Sequence, residues 1–347
     1  MRCADGRPRD LGAARIEVLA GCCLAVLGAG CGPGGGLAAD GGPLDSAFLD
    51  LAVTAQTGVR TLGVTVDEGI AYGRDSDSGD LRVWDLSSAD QIVDLHALAE
   101  DAAVTNYVHD GELWGSWDTI RRWDISGVPA QAPALSQTVD GLNAGYLLFH
   151  GDRLYVADRM DTVEIFDLTA WPGEEQVSNP EHLGAIRFHG LTGWSMLPEG
   201  DDLLWLGTSR DGVLLVDVAD PAAPALVHRL DQGGIVAMAR AGDLLWVSTE
   251  FDLRGWDVSD PYTPVFMASS DLTGGGCLAA RDGWLHACGD GGFSIFDIHD
   301  PAAMLRVRQV LEVSAGDQIH FVDEHIAVGG GAHPLTLLAP NDPGIDR

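Results

Sequence analysis

The stretch VLLVDVADPAAP, residues Val213 to Pro224, decides the fold because its pattern returns throughout the chain. A run of apolar residues ending in an aspartate indicates a β-strand, and the Asp-Pro pair after it is typical of a turn. Proline presets φ near −65° and donates no amide hydrogen bond, so it suits the place where a strand ladder ends. The stretch therefore predicts a strand followed by an exit turn.

The pattern occurs in seven copies. They begin at Leu81, Ile120, Val163, Val213, Leu253, Phe293 and Leu335, and their anchoring residues are Asp85, Asp124, Asp167, Asp217, Asp257, Asp297 and Ala339. The intervals between successive anchors are 39, 43, 50, 40, 40 and 42 residues. A unit of this length, repeated along the chain, is the signature of a repeat architecture.

Two further apolar segments precede each copy, separated by a turn signal such as Asp110-Gly111, and a fourth segment follows the exit turn. Asp-Gly is a favoured hairpin turn because its central positions need positive φ. Four short antiparallel strands per repeat form a propeller blade. The sequence therefore predicts an all-β fold, a seven-bladed β-propeller of four-stranded antiparallel blades.

The last copy stops after its third strand, whereas an extra strand-like segment, FLDLAVT, spans Phe48 to Thr54. Its residues Leu49, Leu51 and Val53 alternate onto one face, as in a half-buried strand. We expect this N-terminal strand to complete the seventh blade and to close the ring.

The ending Val-Asp-Val-x-Asp-Pro-x-x-Pro and the upstream Leu-Trp-Val strand resemble the LVIVD repeat of bacterial and archaeal exported proteins. The resemblance covers about residues 59–340 and is clearest in copies four to six. It implies a surface or periplasmic propeller and brings no catalytic motif. Trp-Asp pairs at Trp84, Trp123 and Trp256 are also similar to WD repeats, but no regular Gly-His pair precedes them, so that family ranks second.

Residues 1–30 predict a signal peptide of the lipoprotein type. Several arginines precede the apolar run Val18 to Gly30, which is too short to span a bilayer as a helix. The sequence LGAGC resembles the bacterial lipoprotein signal, which implies that Cys31 is lipidated, although Gly28 stands where that motif usually has leucine. LAGC, ending at Cys22, fits the motif better but lacks a preceding apolar run, and an ordinary cleaved signal is the other alternative.

The remaining boundaries follow from composition. Residues 31–44 predict a flexible tether, residues 45–343 the propeller and residues 344–347 a short tail. We expect an exported monomer that is lipid-anchored in the cell envelope, at the outer membrane or the cell surface, and that meets the membrane only through this anchor.

The charge balance excludes several classes of function. The chain has 20 Lys+Arg against 52 Asp+Glu, which argues against nucleic acid as a partner. Every basic residue is arginine, so a Schiff-base lysine and a Walker lysine are both excluded. The acidity favours solubility, with an acidic site for a divalent cation as the alternative; no cofactor is predicted.

Motifs for catalysis or metal binding are absent from the sequence: it has no Gly-x-Ser-x-Gly elbow, His-Glu-x-x-His helix or Rossmann glycine pattern. His320, His325 and His333 cluster in the last repeat, but their spacing matches no structural zinc pattern. The acidic segment from Arg74 to Asp80 does not fit an EF-hand, which favours a polar turn between strands. We therefore predict no metal site and no catalytic residue.

The loops between second and third strands are the predicted binding site, because such loops line one face of the channel in propellers and loops on a rigid scaffold often bind ligands. They carry Asp75, Asp118, Asp158, Arg159, Arg210, Asp211, Asp252 and Asp290. Solvated loop residues without a ligand are the alternative. An insertion from Trp171 to Gly193 predicts either a partner-binding lip or a segment packed on the blade rim.

Beyond Cys31, the chain has only two cysteines, Cys277 and Cys288. If Asp282-Gly283 is a two-residue hairpin loop, they lie opposite each other at a hydrogen-bonded pair, with Cα atoms about 5.5 Å apart. That separation allows a disulfide, and an oxidising compartment would preserve it.

The sequence thus favours a non-enzymatic binding or scaffolding module for an envelope protein, a peptide or a polar ligand. The alternative is an exported propeller hydrolase or lyase with its site at the channel mouth, which rests only on fold analogy.

Overall fold

The computed structural model describes residues 51–340 except 100–102, 141, 159–161, 172–179, 188–194, 232–233, 273–275, 290, 314–315, 317 and 324. The predicted signal peptide, tether, tail and Cys31 therefore lie outside the described residues. Within them the chain is all-β, with 27 strands, one 3-10 turn (Pro301–Ala303) and six antiparallel sheets.

Five sheets are built from four consecutive strands each, as predicted from the repeats. Sheet 2 has β5 (Thr105–His109), β6 (Glu112–Trp117), β7 (Thr119–Asp124) and β8 (Ala134–Val139), and sheet 3 has β9 (Ala144–His150), β10 (Arg153–Asp158), β11 (Thr162–Asp167) and β12 (His182–Arg187). Sheet 4 has β13 (Ser195–Glu199), β14 (Leu203–Gly207), β15 (Val213–Asp217) and β16 (Ala225–Leu230), and sheet 5 has β17 (Ile235–Ala241), β18 (Leu244–Thr249), β19 (Asp252–Asp257) and β20 (Val265–Asp271). Sheet 6 has β21 (Cys277–Arg281), β22 (Trp284–Gly289), β23 (Gly292–Asp297) and β24 (Leu305–Val310).

Sheet 1 has seven strands and joins the two ends of the described chain. It contains β1 (Leu51–Asp67), β2 (Ile70–Asp75), β3 (Leu81–Ser88), β4 (Gln91–Leu98), β25 (Gln318–Val322), β26 (His325–Gly330) and β27 (His333–Pro340), in the order β25-β26-β27-β1-β2-β3-β4.

The first strands of successive sheets contact one another in a closed circuit. The contacts run from β1 through β5, β9, β13, β17 and β21 to β25, which in turn contacts β1. The sheets therefore follow one another radially around a centre, which is the architecture of a β-propeller.

Strand β1 explains why the structure has one sheet of seven strands. Its first part pairs with β27, from Leu51 opposite Pro340 to Thr61 opposite His333. Its second part pairs with β2, from Thr61 to Asp67 opposite Ile70. The predicted closing segment is thus the start of a 17-residue strand that belongs to both ends of the chain, and not a separate strand; residues 48–50 lie outside the described residues.

The pairing of β1 with β27 repeats the geometry of the other outer strands. Wherever a third strand pairs with a fourth, the register shifts just before the anchoring residue, at Trp84, Trp123, Phe166, Val216, Trp256 and Phe296. Between β27 and β1 the shift falls at Leu338, just before Ala339. Strand β1 therefore holds, on β27, the position that fourth strands hold elsewhere.

Glycine is required where β1 leaves β27 and joins β2. Gly63 has φ +50°, and a Cβ there would lie 1.9 Å from the carbonyl oxygen of Val104. The carbonyl of Gly63 also accepts a hydrogen bond from Nδ2 of the buried Asn106, at 2.8 Å. This close approach joins sheet 1 to sheet 2.

Each anchoring aspartate stabilises the turn after its strand. Its Oδ1 accepts a hydrogen bond from the backbone N–H two residues later, at 2.7–3.0 Å, in all six copies that have the aspartate. In VLLVDVADPAAP, Asp217 accepts from Ala219 and Asp220 accepts from Ala222. The predicted exit turn is therefore two successive Asx turns.

In five copies, the residue after the anchor links this exit turn to the hairpin between the first two strands. Val218 is buried, and its amide donates to the carbonyl oxygen of Asp202 at 2.8 Å. Val258 and Ile298 make the same contact with Asp243 and Gly283. The two turns of a sheet thus support each other at one end of the molecule.

Part of the predicted insertion, Trp171 to Gly193, is regular structure. Residues His182–Arg187 form β12, the fourth strand of sheet 3. Residues 172–179 and 188–194 lie outside the described residues. The interpretation of the whole span as an insertion was wrong for β12, because 14 residues separate β11 from β12, against seven between β15 and β16, and this longer connection displaced the strand from its expected position.

The part of the chain that the structure describes has no helix with the length and apolar character needed to cross a bilayer.

Closure by β1 predicts a large effect of Leu51→Ala. The Leu51 side chain is 1% exposed and packs in the core, so its truncation should lower the free energy of unfolding by about 2–5 kcal/mol. Leu226→Ala, on an outer strand where the leucine is 51% exposed, should change it by about 0.5 kcal/mol or less. Urea unfolding measures both; equal effects of the two variants would contradict closure by β1.

Candidate functional site

The turns of each sheet fall into two sets, which define a hairpin end and a loop end of the molecule. The hairpin end carries the turns between first and second strands, such as Glu68-Gly69 and Asp282-Gly283, together with the exit turns. The loop end carries the turns between second and third strands. Because the strands are antiparallel, these two sets of turns lie at opposite ends of every sheet.

A cavity of about 680 Å³ opens at the hairpin end. Its walls come from the first strands and hairpin turns of sheets 1, 4, 5 and 6, with β25 contributing a continuous run. The lining residues with ionisable side chains are Asp67, Glu68, Arg240, Arg281, Asp282, His320 and Asp323. Rigid strands therefore present both signs of charge to one concave space.

The arginines of the cavity are already paired. Arg240 donates to both carboxylate oxygens of Glu199, at 2.7 and 2.8 Å, and the indole N–H of Trp205 donates to the same carboxylate at 2.8 Å. Arg281 lies 3.3 Å from Asp282 and above the ring of Phe321, with 5.3 Å between the guanidinium carbon and the ring centroid. These contacts neutralise and orient both cations.

The carboxylates on the opposite wall are not paired. The side-chain carboxylates of Asp67, the last residue of β1, and of Glu68, which follows it, have no hydrogen bond or ion pair with a described residue. Partial burial, and secondly repulsion by Glu68, raise the pKa of Asp67. The wall formed by sheet 1 therefore carries negative charge that the protein itself leaves uncompensated.

His320 forms a neutral part of the lining. It is buried, and burial lowers its pKa to about 4. Its Nε2 lies 3.0 Å from the carbonyl oxygen of Val64. Because a carbonyl can only accept, Nε2 carries the proton and Nδ1 is left as an acceptor.

The predicted binding residues lie at the loop end, opposite the cavity, and their contacts are local. Asp75 is buried and accepts from the amides of Asp77 and Ser78 and from Arg82. Because these partners lie in the same turn or at the start of the adjoining strand β3, the segment from Arg74 to Asp80 is a polar turn between strands.

The other members of this predicted set behave similarly. Asp158 accepts from the amide of Thr162, Asp211 is 3.2 Å from Arg229, Asp252 pairs with Arg254 at 2.7 Å, and the backbone of Asp118 bonds to that of Ala144 and Asn143. Arg210 is exposed, and Arg159 and Asp290 lie outside the described residues.

The histidines of the last repeat make separate contacts. His320 bonds to the carbonyl of Val64, and His325 bonds to that of Leu86 at 2.8 Å, so both tie the last strands to the first. His333 lies at the start of β27. Among the residues that the structure describes, no group of three or more His, Cys, Asp or Glu side chains is placed to hold a metal ion.

Trp171, at the start of the predicted insertion, packs on the sheet surface. Its ring centroid is 5.2 Å from that of Trp114 and 6.0 Å from that of Phe166, and its indole N–H donates to Gln137 at 3.0 Å. Trp171 therefore joins sheets 2 and 3 at the rim.

Cys277 and Cys288 are joined by a disulfide between β21 and β22. Their Cα atoms are 4.9 Å apart, and both side chains are buried. The hairpin has the predicted two-residue loop, with positive φ at both Asp282 and Gly283. The bridge thus lies within the sheet that carries Arg281 into the cavity.

The fold and the site define a β-propeller protein with a polar cavity at one end of its channel. No protein-family model and no curated protein sequence matches the chain, so the similarity to LVIVD repeats stays a prediction.

Three solved structures illustrate the fold. A chain of the mitotic checkpoint complex superposes with a TM-score of 0.62 at 13% identity, over 84% of this chain and 94% of that one. BamB from Moraxella catarrhalis gives 0.54 at 10%, over 83% and 84%, and the computationally designed Ika8 gives 0.55 at 13%, over 83% and 98%. These likenesses support the β-propeller fold.

Sequence reasoning missed the residues of the cavity because it searched the loops after second strands. No sequence signal distinguished these residues, because the hairpin turns of other repeats are charged as well, for example at Asp110, Asp201 and Asp323. The ion pair between Glu199 and Arg240 joins two different repeats, so no pattern within one repeat reveals it.

The buried His286 predicts a stability that falls with acidification. Burial lowers its pKa to about 4, whereas the unfolded chain takes up this proton near pH 6.5. Stability is therefore complete above pH 6.5 and decreases by about 3 kcal/mol as the pH falls to 4.

His286→Gln should remove this contribution, so that urea unfolding at pH 7.5 and pH 5 differs less than in the wild type. His228→Gln, on the outer strand β16, is the matched control and should keep the wild-type pH dependence. An identical pH dependence in all three proteins would contradict the assignment.

The disulfide predicts that the unfolded, unreduced protein yields Cys277 and Cys288 as one cross-linked peptide pair in mass spectrometry. The double variant Cys277→Ser/Cys288→Ser should be less stable by about 2–4 kcal/mol. Alkylation of both cysteines without a reductant would show that the bridge does not form in the isolated protein.

Proposed function

We propose that the chain is a seven-bladed β-propeller that acts as a non-enzymatic binding module, with the cavity at the hairpin end as its binding site. The main support for this proposal is that the cavity is lined by charged side chains, which ion pairs and rigid strands hold in place. Preformed concave sites with a few fixed polar groups are characteristic of ligand recognition.

The blade number is supported by the circuit of seven first strands and by the register shift that β1 shares with the fourth strands. On this interpretation sheet 1 is two blades. Strand β1 is the inner strand of the first blade and also supplies the outer strand of the last, and a ring closed in this way leaves few exposed edges.

We further propose that the module works outside the cytoplasm, anchored to the envelope through Cys31. The support is the predicted signal of residues 1–30 and the resemblance to LVIVD repeats. The disulfide between Cys277 and Cys288 suits an oxidising compartment. One similar propeller is part of a multiprotein assembly, the mitotic checkpoint complex, which agrees with a protein or peptide as the ligand.

Photocrosslinking tests the site. p-Benzoylphenylalanine in place of Asp282, a rim residue whose side chain is 61% exposed, should crosslink a partner in envelope extracts. Ala280→Phe fills the cavity, because Ala280 lines it, and should abolish the product.

The matched control is Ala97→Phe, the same substitution on the exposed face of β4, which should leave the product unchanged. Melting temperatures of both variants establish that they are folded. A crosslink that survives Ala280→Phe would contradict the cavity as the binding site.

A further inference from the structure

The charges of the cavity are unevenly compensated. Arg240 is bound by Glu199 within a largely buried ion pair, with side chains 19% and 15% exposed, and Arg281 is paired with Asp282. Asp67 and Glu68 have no counter-ion among the described residues. The positive wall is therefore close to neutral, and the wall formed by the end of β1 is negative.

This imbalance disfavours the ionised form of the carboxylate wall. Partial burial and repulsion by Glu68 both disfavour the ionised form of Asp67 and raise its pKa. A cation beside the two carboxylates would offset both effects, because its Coulomb attraction and its hydrogen bonds favour the ionised form of Asp67.

His320 points independently to the same class of ligand. Its side chain is 5% exposed and lines the cavity, and Nε2–H is used by the carbonyl of Val64. Nδ1 has no hydrogen-bond partner among the described residues. This nitrogen is not fully enclosed by protein, so it is open to the cavity that the ring lines, where it can accept a hydrogen bond from an N–H or O–H group of a ligand.

We propose that the cavity recognises a basic group, the ammonium or guanidinium of a lysine or arginine side chain presented by a peptide or protein partner. Asp67 and Glu68 act as its counter-ions, and Nδ1 of His320 accepts a hydrogen bond from it. This rests on the proposed function, because it names the ligand chemistry of the same cavity.

The opposite assignment, an anion bound by the arginines, is less favoured. Nη1 of Arg240 is buried without a hydrogen-bond partner among the described residues, and so could receive an acceptor. However, the charge of Arg240 is already neutralised by Glu199, and an anion would bring no donor to His320. It would also face Asp67 and Glu68 across the cavity.

The test uses the full chain in about 150 mM salt, which screens non-specific attraction to a protein of net charge −32. The probes are acetyl-Gly-Arg-Gly-amide and acetyl-Gly-Lys-Gly-amide, with acetyl-Gly-Glu-Gly-amide and acetyl-Gly-norleucine-Gly-amide as controls. Binding is followed by calorimetry and by the NMR signals of the His320 ring. We expect the basic peptides to bind and to shift these signals, and the two controls to do neither.

Asp67→Asn should weaken binding of the basic peptides about tenfold or more, because it removes a charge-assisted contact. The matched control is Asp140→Asn, which removes the same charge from an exposed position at the loop end, beyond β8. It should leave the affinity within about twofold, as expected for a distant screened charge. Equal losses in the two variants would overturn the proposal.

Butylamine distinguishes the source of the basic group. Weaker binding of butylamine than of the lysine peptide supports a peptide partner, whereas equal or tighter binding overturns the peptide and leaves a free amine. Tighter binding of the acidic or neutral peptide overturns the basic-group chemistry. If no probe binds while the crosslink at position 282 still depends on Ala280, only the ligand class fails; if that dependence is also lost, the proposed function fails.

Discussion

The pairing of one long strand with both ends of the described chain is the interaction on which the rest of the structure depends. Strand β1 bonds to β27 through its first part and to β2 through its second. Hydrogen bonds from His320 to Val64 and from His325 to Leu86 also link the two ends, but the pairing of β1 with β27 is the continuous strand ladder that closes the circuit of first strands. The cavity depends on this pairing as well, because Asp67 and Glu68 line it and lie where β1 ends.

The repeated aspartate has a structural role that frees the hairpin turns to vary. Its carboxylate holds the exit turn, and the amide of the next residue bonds to the neighbouring hairpin. Because these contacts use side-chain oxygen and backbone atoms, they place few demands on the side chains of the hairpin itself. Charged residues can therefore occupy the hairpins of sheets 1 and 6 without loss of the turn.

Most of the fold was predictable from the sequence because its determinants are local. Apolar runs, Asp-Gly turns and Asp-Pro exits recur at nearly constant spacing, and they predicted the four-stranded sheets and the hairpin that carries Cys277 and Cys288. The continuity of β1 was not predictable, since no turn signal or strand period distinguishes one long strand from two short ones in register.

The candidate site was not predictable for a different physical reason. The loops between second and third strands were the predicted site because they are rich in charged residues. However, Asp75 and Asp252 form ion pairs with arginines of their own sheets. The cavity depends on contacts between repeats, such as Glu199 with Arg240 and His320 with Val64. Such contacts follow from the distances between sheets, which the pattern within a repeat does not contain.

The overall acidity and the cavity act on different length scales. A net charge of −32 gives the whole surface a negative potential, which speeds the approach of any cation but is screened beyond about 8 Å at physiological salt. Selectivity must then come from groups that a ligand touches after desolvation. At the hairpin end these groups include the neutral acceptor of His320 and the uncompensated carboxylates of Asp67 and Glu68, so long-range attraction and short-range recognition favour the same sign of charge.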